Sequence, residues 1–255
     1  MRFEKWQALG NDYVIVTEPL DAAAVRRICD RHTGVGADGV LLLEPPSEPG
    51  FVARLRIYNP DGSEAELSGN GARQAILYLH HRGWTDARQF SIQTPAGEIR
   101  PTIIDARTCR VDMGRAQVGD EAEVAGRRGQ VVVIGNPQFA VRLDSVAEVE
   151  ALDLGREGPP IERDARFPAR TNVSFWAEEG AGAIRARIFE RGAGETLSSG
   201  TGAIGAAVAH VLRGGDSPVT VRLDGGELTV DVGEDLHIDL TGWAEPVFAG
   251  ELLAG

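Results

Sequence analysis

Apolar and polar residues alternate in short runs along most of this chain, the period-two pattern of half-buried strands. It is plainest in Thr220-Val221-Arg222-Leu223 and Leu236-His237-Ile238-Asp239-Leu240. Runs rich in β-branched residues predict further strands at Tyr13–Thr17, Val40–Leu43, Ala53–Asn59, Gln89–Thr94, Ile99–Ile104, Val131–Ile134 and Phe139–Leu143 in the first part of the chain. Others are expected at Asn172–Trp176, Ile184–Glu190, Pro218–Leu223 and Leu228–Val232. Three stretches carry helical spacing instead: Ala22–Arg31, with Asp21 placed to cap it, Gly69–Arg82 and Gly200–Arg213. The last two each end in Arg-Gly, a cation near the negative helix end followed by a glycine stop. The third helix is apolar on nearly every face, from Ala203 to Leu212, so it calls for enclosure by sheet. The expected class is α+β, with many mostly antiparallel strands wrapped around one central helix per half.

The halves are copies. Arg56-Ile57-Tyr58-Asn59, eight residues, then Ser68-Gly69-Asn70-Gly71-Ala72 is matched by Arg187-Ile188-Phe189-Glu190, eight residues, then Ser199-Gly200-Thr201-Gly202-Ala203. The offset is 131 residues without a gap, and Glu64 and Glu195 obey it too. Repetition at half the chain length predicts two similar, facing domains. We expect them at 1–115 and 116–242, joined near Arg115–Arg128, with the tail 243–255 returning to the first.

At 255 residues the chain is long enough to bury a core without disulfides or structural metal. Its net charge of −12 argues against nucleic acid or an anionic membrane as partner. Cys29 and Cys109 read as small buried hydrophobes. No signal-peptide pattern opens the chain and no run reaches 18 apolar residues, so a cytoplasmic location is expected. Lys5 is the only lysine, and its position near the N-terminus suits neither a pyridoxal-phosphate Schiff base nor a P-loop. The five histidines show no metal-ligand spacing, so no metal is expected. Gly34-Val35-Gly36-Ala37-Asp38-Gly39 precedes a strand, and Gly200-Thr201-Gly202-Ala203-Ile204-Gly205 follows its strand only after a ten-residue loop; neither is a dinucleotide fingerprint.

Chemistry concentrates where each repeat helix begins. A Gly-x-Gly directly after a serine leaves backbone N–H groups free at the positive end of the helix dipole, an anion site that glycine lets a ligand approach closely. Two such ends converging on one ligand hold a carboxylate between them. Serine is also an ordinary N-cap, but a matched pair favours the ligand reading.

These motifs resemble diaminopimelate epimerase, a family of cofactor-independent amino-acid epimerases serving lysine and peptidoglycan synthesis. The resemblance covers most of the chain: Leu9-Gly10-Asn11-Asp12, Arg31-His32-Thr33-Gly34-Val35-Gly36-Ala37-Asp38, Tyr58-Asn59-Pro60-Asp61-Gly62-Ser63-Glu64, Ser68-Gly69-Asn70-Gly71-Ala72-Arg73, Gly135-Asn136-Pro137, Arg170-Thr171-Asn172-Val173 and Glu190-Arg191-Gly192-Ala193-Gly194-Glu195-Thr196. It implies two pseudo-symmetric domains with an amino-acid substrate in the cleft between them, and no cofactor; a homodimer is left open. It places the family's two catalytic cysteines at Ser68 and Ser199. It assigns Asn59, Asn136, Asn172 and Arg191 to the distal end of the substrate, and Asn11 and Glu190 to the neighbourhood of the reacting amine. The α-carboxylate falls to Gly69, Asn70, Gly200 and Thr201. Gly39 stands where the family usually has glutamine, and Gln138 where it usually has histidine.

Replacing both thiols has a large energetic consequence. A thiol ionises near pKa ~8.5, whereas a serine hydroxyl is nearly as weak an acid as water, so an alkoxide costs on the order of 10 kcal/mol more. Two helix ends offset about 2 kcal/mol each. Serine therefore requires a partner base, and no histidine is placed by sequence to serve. Three readings follow: a diaminopimelate epimerase with serine at both thiol positions and weak turnover; a divergent isomerase or dehydratase using Glu64 and Glu195 as acid and base, unless both are structural carboxylates; and a non-catalytic amino-acid-binding protein.

Overall fold

The alternating runs form strands, and they assemble twice into one pattern. The computed structural model describes residues 1–65 and 68–253; of the C-terminal tail, residues 254 and 255 lie outside the described part. The chain divides into two compact units, Met1–Asp112 together with the chain from Gly242 onward, and Met113–Thr241.

In the first unit, strands β1 (Arg2–Ala8) and β2 (Asn11–Val16) precede helix α1 (Ala22–Cys29). Then come β3 (Gly39–Glu44), β4 (Ala53–Tyr58), β5 (Glu64–Ala65) and helix α2 (Gly69–His81). The short strands β6 (Ile92–Thr94), β7 (Gly97–Ile99) and β8 (Pro101–Ile103) follow, and β9 (Thr108–Arg115) carries the chain onward. The second unit runs β10 (Gln117–Val124), β11 (Arg127–Ile134), β12 (Asn136–Arg142), helices α3 (Val146–Ala151) and α4 (Leu154–Glu162), then β13 (Asn172–Gly180), β14 (Ala183–Glu190) and β15 (Gly194–Thr196). It closes with helix α5 (Gly200–Leu212), β16 (Val219–Leu223), β17 (Gly226–Val232) and β18 (His237–Trp243). The last strand, β19 (Glu245–Glu251), pairs antiparallel with β1.

Strand order is β19-β1-β2-β3-β4-β6-β7 in one sheet, with β5 on β4; in the other β10-β11-β12-β13-β14-β16-β17 repeats that order, with β15 on β14, and β18-β9-β8 extend it. The parallel pairs coincide as well, β2 with β3 and β4 with β6 against β12 with β13 and β14 with β16. The sequence repeat is thus a repeat of topology. Helix α2 packs on β1 to β4, and α5 on β11 to β14, β16 and β17. Nearly every residue of α5 from Gly202 to His210 is buried, as its all-apolar surface requires. Both helices stop at a glycine in the left-handed region, Gly83 (φ 67°) and Gly214 (φ 89°), where a side chain would be strained.

Two expectations need correction. The stretch 115–128, where the join was expected, holds the end of β9, then β10, a turn at Ala125-Gly126 and the start of β11, and the units divide at Asp112/Met113. The strand β10 is exposed along most of its length, so its charges are those of a sheet edge. Helices α3 and α4 were not legible, α4 least of all with Pro159 and Pro160 inside it. It forms because Asp153 caps it, Leu154 and Ile161 are buried, and Gly158 lets the Phe189 ring lie against its backbone. Among the described residues no helix is long and apolar enough to cross a membrane.

Phe139 is fully buried with Phe167, Val173, Phe175 and Phe189 in the core of the second unit. Phe139→Ala is expected to destabilise the fold by about 3–5 kcal/mol, because the neighbours only partly collapse into the space left. Urea unfolding checks this, and a midpoint unchanged from the parent contradicts it.

Candidate active site

Each repeat helix is capped by its serine. Ser68 has extended backbone geometry, and its Oγ accepts a hydrogen bond from the Gly71 N–H at 3.1 Å. Ser199 does the same with the Gly202 N–H at 3.3 Å. The capping reading is therefore right for both, and it does not exclude chemistry, because each hydroxyl has a second and different partner.

In the first unit that partner is Tyr13, whose phenol donates to Ser68 Oγ at 3.3 Å. Tyr13 lies on β2, directly across the parallel pair from Gly39 on β3. A Cβ built on Gly39 would meet the Tyr58 carbonyl and stand 2.6 Å from Tyr13 Cε1, so the ring occupies the volume a side chain at 39 would need. Asn11 opens β2; its amide donates to Asp38 Oδ2 at 2.8 Å, and its carbonyl accepts from Gln74 of α2 at 2.9 Å. Asn59, just past β4, donates to Ser63 Oγ at 3.0 Å. Gly69 and Asn70 form the first turn of α2, where the fully buried Arg73 donates to the Gly69 carbonyl (3.2 Å) and to Asn70 Oδ1 (2.5 Å). Burial pushes the Arg73 pKa down to about 10, which leaves a cation beneath the helix N-terminus at neutral pH.

In the second unit Ser199 donates to Glu190 Oε2 at 3.0 Å. Burial raises the Glu190 pKa above its ordinary value, opposed by the hydroxyls of Thr196 and Ser199 beside it. Asn172 opens β13, and its side-chain oxygen accepts from the Arg191 backbone N–H at 2.9 Å. Its strand partner is Gln138, whose amide donates to Asn136 Oδ1 at 2.5 Å. Arg191 is exposed and donates to the Ala169 carbonyl at 2.9 Å. Gly200 and Thr201 form the first turn of α5. Within this unit Asn136, Gln138 and Asn172 thus gather at one sheet end, and Glu190 with Ser199 forms a hydroxyl–carboxylate pair.

The repeated glutamates play another part. Arg56 holds Glu64 through two hydrogen bonds of 2.8 Å, and 131 residues on Arg187 pairs with Glu195 through a single one. The Arg56 guanidinium keeps the Glu64 carboxyl below the usual range. Both are structural ion pairs, and neither is free to serve as acid or base. Cys29 and Cys109 are buried thiols, as expected, with pKa values raised by burial to about 11 and about 12.

Sequence reasoning missed Tyr13, Arg73 and Gln74 as site residues. Tyr13 stands two residues beyond Asn11, on the same strand face by alternation, which was the available signal.

The doubled sheet-and-helix topology is a known fold: the structure of a predicted epimerase from Pseudomonas aeruginosa superimposes with a TM-score of 0.75 at 18% identity, covering 100% of this chain and 99% of that one. The sequence goes further. The diaminopimelate epimerase family model matches residues 3–119 and 130–245. Diaminopimelate epimerases of Azoarcus sp. (strain BH72) and Paraburkholderia xenovorans (strain LB400) are 41% and 40% identical, each over 99% of this chain and 98% of the relative. The chain belongs to the diaminopimelate epimerase family, isomerases that interconvert LL- and meso-diaminopimelate.

Proposed function

We propose that this chain binds diaminopimelate and epimerises it slowly without a cofactor, with Ser68 and Ser199 on opposite faces of the α-carbon. The observation that carries this is the Ser199–Glu190 hydrogen bond, which supplies the partner base a serine lacks by itself. One proton leaves Cα for Ser199 Oγ while the serine proton passes to the Glu190 carboxylate. The Cα–H electrons stay on carbon and spread into the α-carboxylate. The N–H groups at Gly69, Asn70, Gly200 and Thr201 stabilise that developing charge, as free helix N-termini do. A proton then reaches the other face from Ser68. No free alkoxide is formed on Ser199, so the excess of about 10 kcal/mol that an unassisted serine carries over a thiol is reduced.

Asn59, Asn136, Asn172 and Arg191 are proposed to hold the distal amino-acid end, and Asn11 and Glu190 to flank the reacting one. Arg191 with three amides favours a ligand carrying a second carboxylate over a monocarboxylic amino acid.

Ligand binding is separable from turnover. Millimolar LL- or meso-diaminopimelate is expected to raise the melting temperature by several degrees, since ligand at 100 times its Kd stabilises by about 2.7 kcal/mol. Differential scanning fluorimetry reads this directly, with lysine as the control lacking the second carboxylate. No shift with either isomer sinks both the epimerase and the simple binding protein.

A further inference from the structure

The two serines are repeat mates, but the groups behind them are not. Residues 59 and 190 share the offset of the repeat, and they are asparagine in one unit and glutamate in the other. Tyr13 and Gln138 correspond as well: each stands two residues after the asparagine that opens its strand, and each pairs with the first residue of the neighbouring parallel strand, Gly39 and Asn172 respectively. One unit therefore sets a phenol behind its serine and a neutral amide at the carboxylate position. The other sets a carboxylate behind its serine and a neutral amide at the phenol position.

Hydrogen-bond direction separates the serines further. Ser68 Oγ accepts from both the Gly71 N–H and the Tyr13 hydroxyl, which takes up its two lone pairs. That oxygen enters a reaction as donor of its own hydrogen. Ser199 Oγ accepts from Gly202 and gives its hydrogen to Glu190, which leaves a lone pair for an incoming proton.

We infer that Tyr13, seated in the space left by Gly39, is the positioning residue and proton source behind Ser68, which makes the Ser68 face the acid face and the Ser199 face the base face. This rests on the reading that both serines serve one α-carbon. As the carbanion takes the Ser68 Oγ hydrogen, the Tyr13 O–H bond breaks and its proton moves to Oγ, leaving a phenolate. The proton from the substrate rests on Glu190, so one proton has moved in net terms from Tyr13 to Glu190, and exchange with water restores both. A phenol ionises near pKa ~10 and a serine hydroxyl far higher, nearly as weakly as water, so the relay removes about six powers of ten from the ionisation that Ser68 alone would require.

The test pairs Tyr13→Phe, which removes one oxygen and keeps the ring, with the same change in the Ser68→Cys/Ser199→Cys protein. Each protein is incubated with LL- and with meso-diaminopimelate in D2O, and the ligand-induced melting shift confirms binding. In the serine chain, Tyr13→Phe is expected to slow epimerisation by at least about a hundredfold. One isomer should still exchange its α-hydrogen with retention of configuration, because the Ser199–Glu190 face is intact. In the cysteine background the penalty should shrink at least tenfold, since a thiol near pKa ~8.5 needs no phenol. Equal penalties in the two backgrounds, or parallel loss of exchange from both isomers, overturn the relay and leave Tyr13 a packing residue. A folded cysteine protein that binds ligand yet never epimerises overturns the underlying functional reading instead.

Discussion

Restoring cysteine at both Ser68 and Ser199 is expected to raise the LL-to-meso rate by at least about a thousandfold. The argument is a comparison of acids. Thiol and serine hydroxyl differ by about seven pKa units, a ceiling on the order of 10 kcal/mol for two bare groups at the same helix ends. The Glu190 and Tyr13 hydrogen bonds of the serine chain recover part of that difference, so the gain falls short of the ceiling. Binding should change little, because the backbone N–H groups of α2 and α5 remain in place. Chiral chromatography of the two isomers gives the rate. A folded double variant with no gain in rate would mean that positions 68 and 199 do not act on the α-carbon.

Glu190→Gln should have the second large effect, and it should separate activity from stability. The amide can still accept a hydrogen bond from Ser199 but cannot take a proton, so epimerisation is expected to fall by about a thousandfold or more. Stability should move the other way. The folded-state pKa of Glu190 is raised by burial, so the folded protein binds this proton more tightly than the unfolded chain. That contribution is full below the ordinary carboxyl pKa and is lost as pH rises through the folded value. Above the raised folded value the parent carries a charged, buried carboxylate, and the variant should melt higher; below the ordinary carboxyl pKa the gap should close. The parent's rate, by contrast, should climb with pH through an inflection above 4.5, where Glu190 becomes a base. A variant that keeps its rate, or whose melting temperature falls relative to the parent's as pH rises, contradicts the role given to Glu190.

The repeat helices were legible because local signals agreed: a serine cap, a Gly-x-Gly first turn, an apolar body and an Arg-Gly stop. Their observed ends, Gly69–His81 and Gly200–Leu212, differ from the expected ones by a single residue. Helix α4 was hidden because its stability is tertiary, with Leu154 and Ile161 buried and Phe189 lying over Gly158, while its own sequence carries two prolines. Likewise β10 was not legible as a strand because an exposed edge strand has no apolar face to reveal it. At the site, backbone-borne features could be read from spacing. The partners of the serines could not. Glu190 reaches Ser199 across the loop holding β15, and Tyr13 meets Ser68 from 55 residues away in the chain. Glu64 and Glu195 shared the repeat offset as fully as the serines did, and only their arginine partners reveal that they are structural.

Deuterium incorporation by the unaltered serine chain is the most direct trial of the mechanism. With diaminopimelate in D2O at neutral pH, slow appearance of label at the α-carbon is expected, accompanied by the opposite configuration at that centre. Tight ligand binding with no label in either isomer after days would contradict it, and would leave the chain a binding protein built on an epimerase fold.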